Sequence, residues 1–396
     1  MEAGKIKKAV FVVTIIFLFY VSSMGDELYV PSKEYPTIQA AIDDANDGDE
    51  IIVSPGTYRE NITFLGNDIV LRSTNPEDED VVAATVIEGE GSDPFDRSPV
   101  VTFAGTESEQ CRLGGFTITN GGGTNMGGGI LGDGTLATIE NNIIYGNQAS
   151  TGMFPSNGYG GGLYECDGLI QYNTIYENQA VCDTGAARGG GLYGCDGVIQ
   201  HNIIYNNSAT GFGGHLGGGL CNCQGTIENN TIFGNEAHYG GGLYDCNGTV
   251  RNCIVWGNTD DQLYECYADV TYSDIEGGWA GTGNIDNDPC FADTGAGDFH
   301  LKSQGGRWDP DTQSWVIDAE TSPCIDAGDW ATPVGFEPFP NGGRRNMGAY
   351  GGRARAGKSH FGKPHCKTII AGDINGDCKV DFVDLAIMAL HWLEEH

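Results

Sequence analysis

Positive charge is scarce in this sequence. Across 396 residues, 20 Lys plus Arg stand against 54 Asp plus Glu, for a net charge of −34. That balance argues against nucleic acid or an anionic membrane surface as partner, because each phosphate contact needs a cation. An acidic substrate would need bridging cations for the same reason. Long apolar runs are also few. The longest, Ala9 to Val21, falls short of the roughly 20 residues that cross a bilayer as a helix. Helical periodicity is missing from the central region, and with it the case for a helical bundle. No Ser-His-Asp ordering, phosphate loop or nucleotide fingerprint is present. No CxxC pair comes with a second ligand pair, so zinc has no support. The material for a core is not lacking, since hydrophobic residues reach 39% and aromatics 10%. The 63 glycines point to many tight turns, and so to an all-β solenoid or barrel.

Lys5, Lys7 and Lys8 precede the Ala9–Val21 run, and Ser22, Ser23 and Gly25 follow it ahead of Asp26 and Glu27. This is the order of a secretory signal peptide cleaved near Gly25. The mature protein is therefore expected to be secreted or at the cell surface, without a membrane span.

A repeat dominates what is there. GGGLYEC ends at Cys166, GGGLYGC at Cys195, GGGLCNC at Cys223, GGGLYDC at Cys246, and a fainter LYEC at Cys266. Leu163, Leu192, Leu220, Leu243 and Leu263 each lie three residues before their Cys. Seven residues after the Cys come Asn173, Asn202 and Asn230, then Cys253 and Ser273. Five further on stand Asn178, Asn207, Asn235 and Asn258, and an earlier copy contains Ile130, Asn142 and Asn147. From Asn147 onward the connectors to the next Leu shrink through 15, 13, 12, 7 and 4 residues. Fixed offsets with all length variation in one place describe coils of a parallel β-helix whose loops share one side.

Side-chain direction follows from alternation along each short strand. Ile144, Ile175, Ile204, Ile232 and Val255 point inward, so Tyr145, Tyr176, Tyr205, Phe233 and Trp256 point outward, one aromatic per coil. Such a row is a stacking platform for sugar rings or, alternatively, a ladder that stabilises the coil under a covering loop. The corner asparagines are expected to pair up and down the stack, and Asn tolerates the left-handed backbone that corners need. The repeated cysteines are expected to stack inward as small apolar residues. Cys366 with Cys378, and Cys290 with Cys324, are candidate disulfide pairs among the 13 cysteines.

An open coil stack needs covers at its ends. Ile38, Ala41, Ile42 and Ala45 have the spacing of an amphipathic helix, followed by GDEIIV and the turn PGTYREN. The whole segment Pro36 to Asn61 resembles the N-terminal cap and first coil of the pectin-lyase-like right-handed parallel β-helix superfamily, which includes pectate lyases, pectin methylesterases and polygalacturonases. The coils extend that likeness to about residue 300. SPCIDAGD (Ser322 to Asp329) and NGGRRNMGAYGG (Asn341 to Gly352) look like the C-terminal region of secreted bacterial β-helix repeat proteins, a likeness that implies architecture and no chemistry. Residues 26–300 are thus expected as the coil, 301–352 as its C-terminal cap region and 353–371 as a basic linker.

DINGDCKVDFVD places Asp373, Asn375, Asp377, Asp381 and Asp384 at positions 1, 3, 5, 9 and 12 of a calcium loop, with the Lys379 carbonyl at position 7. Leu385, Met388, Ala389 and Trp392 form an apolar stripe behind it. Residues 372–396 resemble one half of a type I dockerin, which implies Ca²⁺ and a cohesin-like partner. Dockerins normally carry two such repeats, and Cys378 stands where Gly eases the turn.

Catalytic constellations of the superfamily are mostly missing. There is no paired catalytic Asp motif with its Gln partners, and no NTD, DD, GHG or RIK motif. A lyase mechanism needs an Arg or Lys base, and the coils offer Arg188 and Arg251, with His201, His215 and His238 as alternatives. Arg188, His215 and His238 fall in or beside the variable connectors where a cleft would form, with Asp183 as the nearest acid. The expectation is an exported all-β protein, a right-handed single-stranded parallel β-helix with an N-terminal capping helix and a small C-terminal calcium-loop module. It would bind or scaffold an extracellular polysaccharide. The alternatives are a polysaccharide lyase or glycoside hydrolase using Arg188, His215 or Asp183, and a structural cell-surface protein.

Overall fold

The computed structural model describes residues 25–91, 98–150, 157–361 and 379–391. The signal-peptide segment before Gly25 lies outside them. Three long parallel sheets run the length of the coil stack. The first has ten strands, from Glu27–Val30 to Asp269–Thr271; the second has eight, from Ile62–Thr63 to Leu263–Tyr264; the third has nine, from Gly56–Arg59 to Asp274–Ile275. Each coil visits the second sheet, then the first, then the third, and returns through the variable connector. The chain is a parallel β-helix.

After one irregularity between Leu131 and Thr135 in the second sheet, register is kept because the same side chain turns inward on successive coils. Leu163 pairs with Leu192 and then Leu220 in the second sheet, Ile170 with Ile199 and Ile227 in the first, and Ile175 with Ile204 and Ile232 in the third. All are buried in one continuous core that the repeated cysteines complete. Those cysteines are free, each thiol donating to the carbonyl two residues earlier, as from Cys195 to Tyr193. Burial pushes the Cys195 and Cys246 thiols well up.

Two buried asparagine ladders flank the third sheet. Asn173 Oδ1 accepts from the Asn142 backbone N–H at 2.9 Å and side-chain amide at 3.1 Å. Its own amide donates to Asn202 Oδ1 at 3.0 Å and back to the Ile139 carbonyl at 2.8 Å. Asn147, Asn178, Asn207, Asn235 and Asn258 do the same at the other corner. Every polar atom of each carboxamide is used, which removes the penalty of burying it. The left-handed backbone falls one residue earlier than expected, on Asn141, Tyr172, His201, Asn229, Asn252 and Tyr272. That residue turns outward so that the ladder Asn can turn in.

Helix α1, Ile38–Asp44, closes the upper end with Ile38, Ala41 and Ile42. Its N-terminal amides are capped by Glu60 of the PGTYREN turn, whose carboxylate accepts from Ile38 and Gln39 N–H at 2.9 and 3.0 Å. A second short helix, α2 (Glu79–Ala84), has no counterpart in the sequence expectations. The lower end is closed by Trp279, packed against the core, and by Asn284, whose Oδ1 accepts from Ser273 N–H to finish a ladder.

Residues 301–352, with the segment just before them, form a strap that runs along the flank of the third sheet. Phe291, Phe299, Leu301, Cys324, Ile325, Met347 and Ala349 are buried against Ile203 and Ile254 in a second core. The strap is fastened to the outward corner residues: His201 Nδ1 meets the Ala349 carbonyl at 3.2 Å, Asn229 donates to the Asn346 and Gly348 carbonyls, and Asn252 Oδ1 accepts from Asp329 N–H. The basic residues of the expected linker are fastenings too. Arg353 stacks over Tyr172, Lys358 over Trp315, and Arg355 pairs with Glu79 at the N-terminus of α2. Cys290 and Cys324 are free thiols rather than a disulfide, with Cys324 donating to Asp274 Oδ2 at 2.9 Å; Cys366 and Cys378 lie outside the described residues.

Candidate functional site

The outward aromatic row of the third sheet is present and split in two. Tyr145 and Tyr176 stack at 5.1 Å with planes 7° apart, and Tyr176 and Tyr205 at 4.9 Å and 11°. Below that the strap takes over: Phe299 tilts against Tyr205 at 5.0 Å and Phe233 at 5.3 Å, while Phe291 meets Phe233 edge-on. Trp256 packs into the same cluster. Burial pushes the Tyr205 hydroxyl up to about 12. Only Tyr145 and Tyr176 of the expected platform stand outside this second core, both half-buried.

A second tyrosine row lies on the outer face of the second sheet. Tyr164, Tyr193, Tyr244 and Tyr264 each follow an inward Leu, with Cys221 at the middle position. Tyr164 and Tyr193 stack at 5.5 Å, Tyr244 and Tyr264 at 6.0 Å. The alternation that turns Tyr145 and its successors outward also applies to the Leu-Tyr pair of each GGGLY unit, so the same signal marks this row in the sequence. Burial, and behind it the Glu165 carboxylate, pushes the Tyr164 hydroxyl up; for Tyr244 the main cause is its 2.6 Å hydrogen bond to Glu265.

The long connectors build a wall beside this row. Gln148–Ala149, Gln179–Cys182 and Ser208–Gly211 pair as one small parallel sheet, and Gly158–Tyr159, Ala186–Arg188 and Gly214–Leu216 as another. They enclose Ala180, Cys182, Ala187 and Ala209, a core thin enough for two strands of one connector to pack back to back. The resulting fin tapers out where the connectors shorten, leaving single bridges at Glu236 and Tyr239. From the fin, Tyr159 reaches Tyr193 at 5.1 Å and Tyr239 reaches Tyr264 at 5.0 Å.

The catalytic candidates do not converge. Arg188 pairs with Leu216 and Ala187 with His215, so the pleat sends Arg188 and His215 to opposite faces of the fin sheet. Arg188 faces the tyrosines, its guanidinium close enough to the Tyr193 hydroxyl to oppose the upward push of burial on that group, and its buried Nε has no partner. His215 sits beside His238, ring centroids 6.4 Å apart, with Nε2 buried and unpartnered. Asp183 lies in the turn between the two fin strands. Arg251 is paired with Glu228 and with Asp329 of the strap. His201 is buried under the strap, and burial lowers it to about 4. What the second-sheet face offers is apolar ring area, phenolic hydroxyls and the Arg188 guanidinium.

Residues 264–328 match a family described as disaggregatase related. The disaggregatase-related segment starts on the last Leu-Tyr pair, includes the Trp279 closure and enters the strap, well short of half the chain. No curated protein and no solved structure matches the chain. The molecule is thus a parallel β-helix whose lower end, over residues 264–328, is similar to that family.

Of the expected calcium ligands, Asp373, Asn375 and Asp377 lie outside the described residues. Asp384 is buried at the start of helix α3, Phe382–His391, and its Oδ2 accepts from Asp381 N–H at 2.8 Å. Phe382, Leu385 and Met388 form an exposed apolar row on that helix. Among the described residues no cluster of three or more His, Cys, Asp or Glu is placed to hold a metal ion. No helix of the described residues is long and apolar enough to cross a membrane.

Proposed function

We propose that this protein works outside the cell by holding a polysaccharide along the outer face of its second sheet. The observation that carries the reading is the paired aromatic lining, in which Tyr164, Tyr193, Tyr244 and Tyr264 are met from the fin by Tyr159 and Tyr239. Rings repeating at the roughly 4.8 Å coil spacing suit a polymer lying along the stack. Tyr145 and Tyr176 offer a smaller platform on the third sheet, with Tyr205, Phe233 and Trp256 held under the strap. The C-terminal tail would attach the protein: Asp373, Asn375, Asp377, Asp381, Asp384 and the Lys379 carbonyl are the oxygen set that suits Ca²⁺, and the exposed row on α3 suits a cohesin-like partner.

A lyase reading is favoured by one feature, the unpartnered Nε of Arg188 beside the tyrosines, where a base would be needed. The test is incubation of the full chain with a polysaccharide panel, with calcium and with chelator, followed by pull-down and mass spectrometry of soluble products. Retention on one polymer without products supports holding. Products with an unsaturated end that vanish in Arg188→Ala establish the lyase, and neither retention nor products leaves a structural surface protein.

A further inference from the structure

The wall and the floor of the tyrosine groove are two rows in register. On the fin, Tyr159, Arg188, Leu216 and Tyr239 pair from one coil to the next. On the second sheet the floor runs Tyr164, Tyr193, Cys221, Tyr244 and Tyr264. The two fin tyrosines each lean one coil down. Tyr159 precedes Tyr164 in the chain yet meets the Tyr193 ring at 5.1 Å, and Tyr239 precedes Tyr244 yet meets Tyr264 at 5.0 Å. The same step takes Arg188 from Tyr193 toward Cys221. Its charge bears on both, opposing the upward push of burial on the Tyr193 hydroxyl and the Cys221 thiol.

Cys221 is the only floor position between Tyr164 and Tyr264 without a ring. Tyr193 and Tyr244 are two coil steps apart, roughly 9.6 Å, which leaves a gap one ring wide between them. Cys221 at its base is 1% exposed, so the gap is covered from the fin. Among the described residues no carboxylate pairs with Arg188, in a chain of 54 Asp plus Glu, and its Nε is buried without a hydrogen bond. The far edge of the floor carries charge in a matching pattern. The left-handed residue that follows each floor position is Glu165, Gly194, Asn222, Asp245 and Glu265 in turn. Acids therefore stand above and below the gap, and none stands on the two coils that Arg188 spans. Round the next corner, Asp167 and Asp196 are engaged by the Asp196 and Gln224 N–H groups at 2.9 and 2.8 Å.

We propose that this gap is an anion seat, in which Arg188 takes one carboxylate or sulfate-ester group of the polysaccharide while the tyrosines above and below hold the neighbouring sugars. The proposal rests on the reading of the second-sheet face as the polysaccharide site and narrows it to a sparsely acidic polymer. A guanidinium fork meets either anion through two parallel N–H bonds, which exclusion of water strengthens. A neutral chain would leave the buried Nε unpaired. Glu165 and Asp245 stand three coil steps apart, roughly 14 Å. An acid on every sugar would press further anions against these two carboxylates, whereas acids separated by neutral sugars place one charge on Arg188 and none beside them.

The test reads the seat and the polymer separately. In full-length protein labelled with ¹⁵N-arginine, the Arg188 Nε–H resonance, assigned by its loss in Arg188→Lys, should shift with inorganic sulfate while that of Arg251, paired with Glu228, holds. In pull-down the retained polymer should carry acid on only some of its sugars, and polygalacturonate, with acid on every sugar, should be left behind. Carboxyl reduction or desulfation of that polymer, whichever removes its anion, should lower retention at least about tenfold, and so should Arg188→Gln. The two changes together should cost no more than either alone. Arg188→Lys should recover part of the loss, supplying charge without the fork. An Arg188 resonance indifferent to sulfate, retention of a neutral polymer or of polygalacturonate, or losses that multiply would overturn the proposal. A sulfate shift with no polymer retained would keep the seat and sink the polysaccharide reading. Retention abolished by Tyr164→Ala with Tyr193→Ala but untouched by Arg188→Gln would keep that reading and sink the seat.

Discussion

The two aromatic rows arise from one rule and end in different circumstances. Each is the outward neighbour of an inward aliphatic, repeated once per coil: Tyr145 to Trp256 on the third sheet, Tyr164 to Tyr264 on the second. The third-sheet row is largely claimed by Phe291 and Phe299 of the strap and becomes part of a core. The second-sheet row has only the fin at its side, and although the rings of both rows are half-buried, only those of the third sheet pack against a second core. Periodicity decides where a row lies, but segments outside the period decide whether it stabilises the molecule or meets a ligand.

Substitutions can separate these roles. The largest effect is expected beneath both rows, at Asn178→Ala. It removes the acceptor of the Asn147 N–H and amide and the donor to the Ile144 carbonyl, and should cost about 4 kcal/mol in a denaturant titration. Next comes Phe233→Ala, a loss of about 3 kcal/mol through the cavity left under Phe291 and Phe299, with polysaccharide retention unchanged. Tyr164→Ala combined with Tyr193→Ala should reverse that pattern. Stability should move by about 1 kcal/mol while retention on the polymer is lost, and a large drop in melting temperature with retention intact would erase the distinction between the rows. The smallest effect is expected at Arg353→Gln, about 1 kcal/mol from its contact with the Tyr172 ring, read as faster exchange confined to the strap.

The parts of this molecule that could be read in the sequence are those that repeat. Inward Leu, Ile, Cys and Asn recur at fixed offsets because each must meet its copy one coil away, and the ladders match that expectation down to the hydrogen bonds. The corner backbone was displaced by one position, since the constraint on φ falls on the outward residue and leaves a varied signature of Asn, Tyr and His. The strap was not legible. Its partners are single contacts far apart in the chain, such as Arg355 with Glu79 and Ala349 with Thr231, and no period marks them. The fin was visible only as a taper in connector length. The separation of Arg188 from His215 by the pleat could not be inferred before the connectors were known to be strands.

The strap also bears on how the molecule comes apart. A stack of coils in which each touches only its neighbours can fray from either end, one layer at a time. Here a single segment is bonded to Asp274 on the last coil, to Asn229 and His201 in the middle, and to Glu79 near the top. Layers that would melt independently must therefore release a common member, and unfolding becomes a concerted event. Assembly carries the matching constraint: the clasp is made late in the chain and closes contacts of long sequence separation, so it can seat only on coils already wound, and its closure should be the slow step of folding.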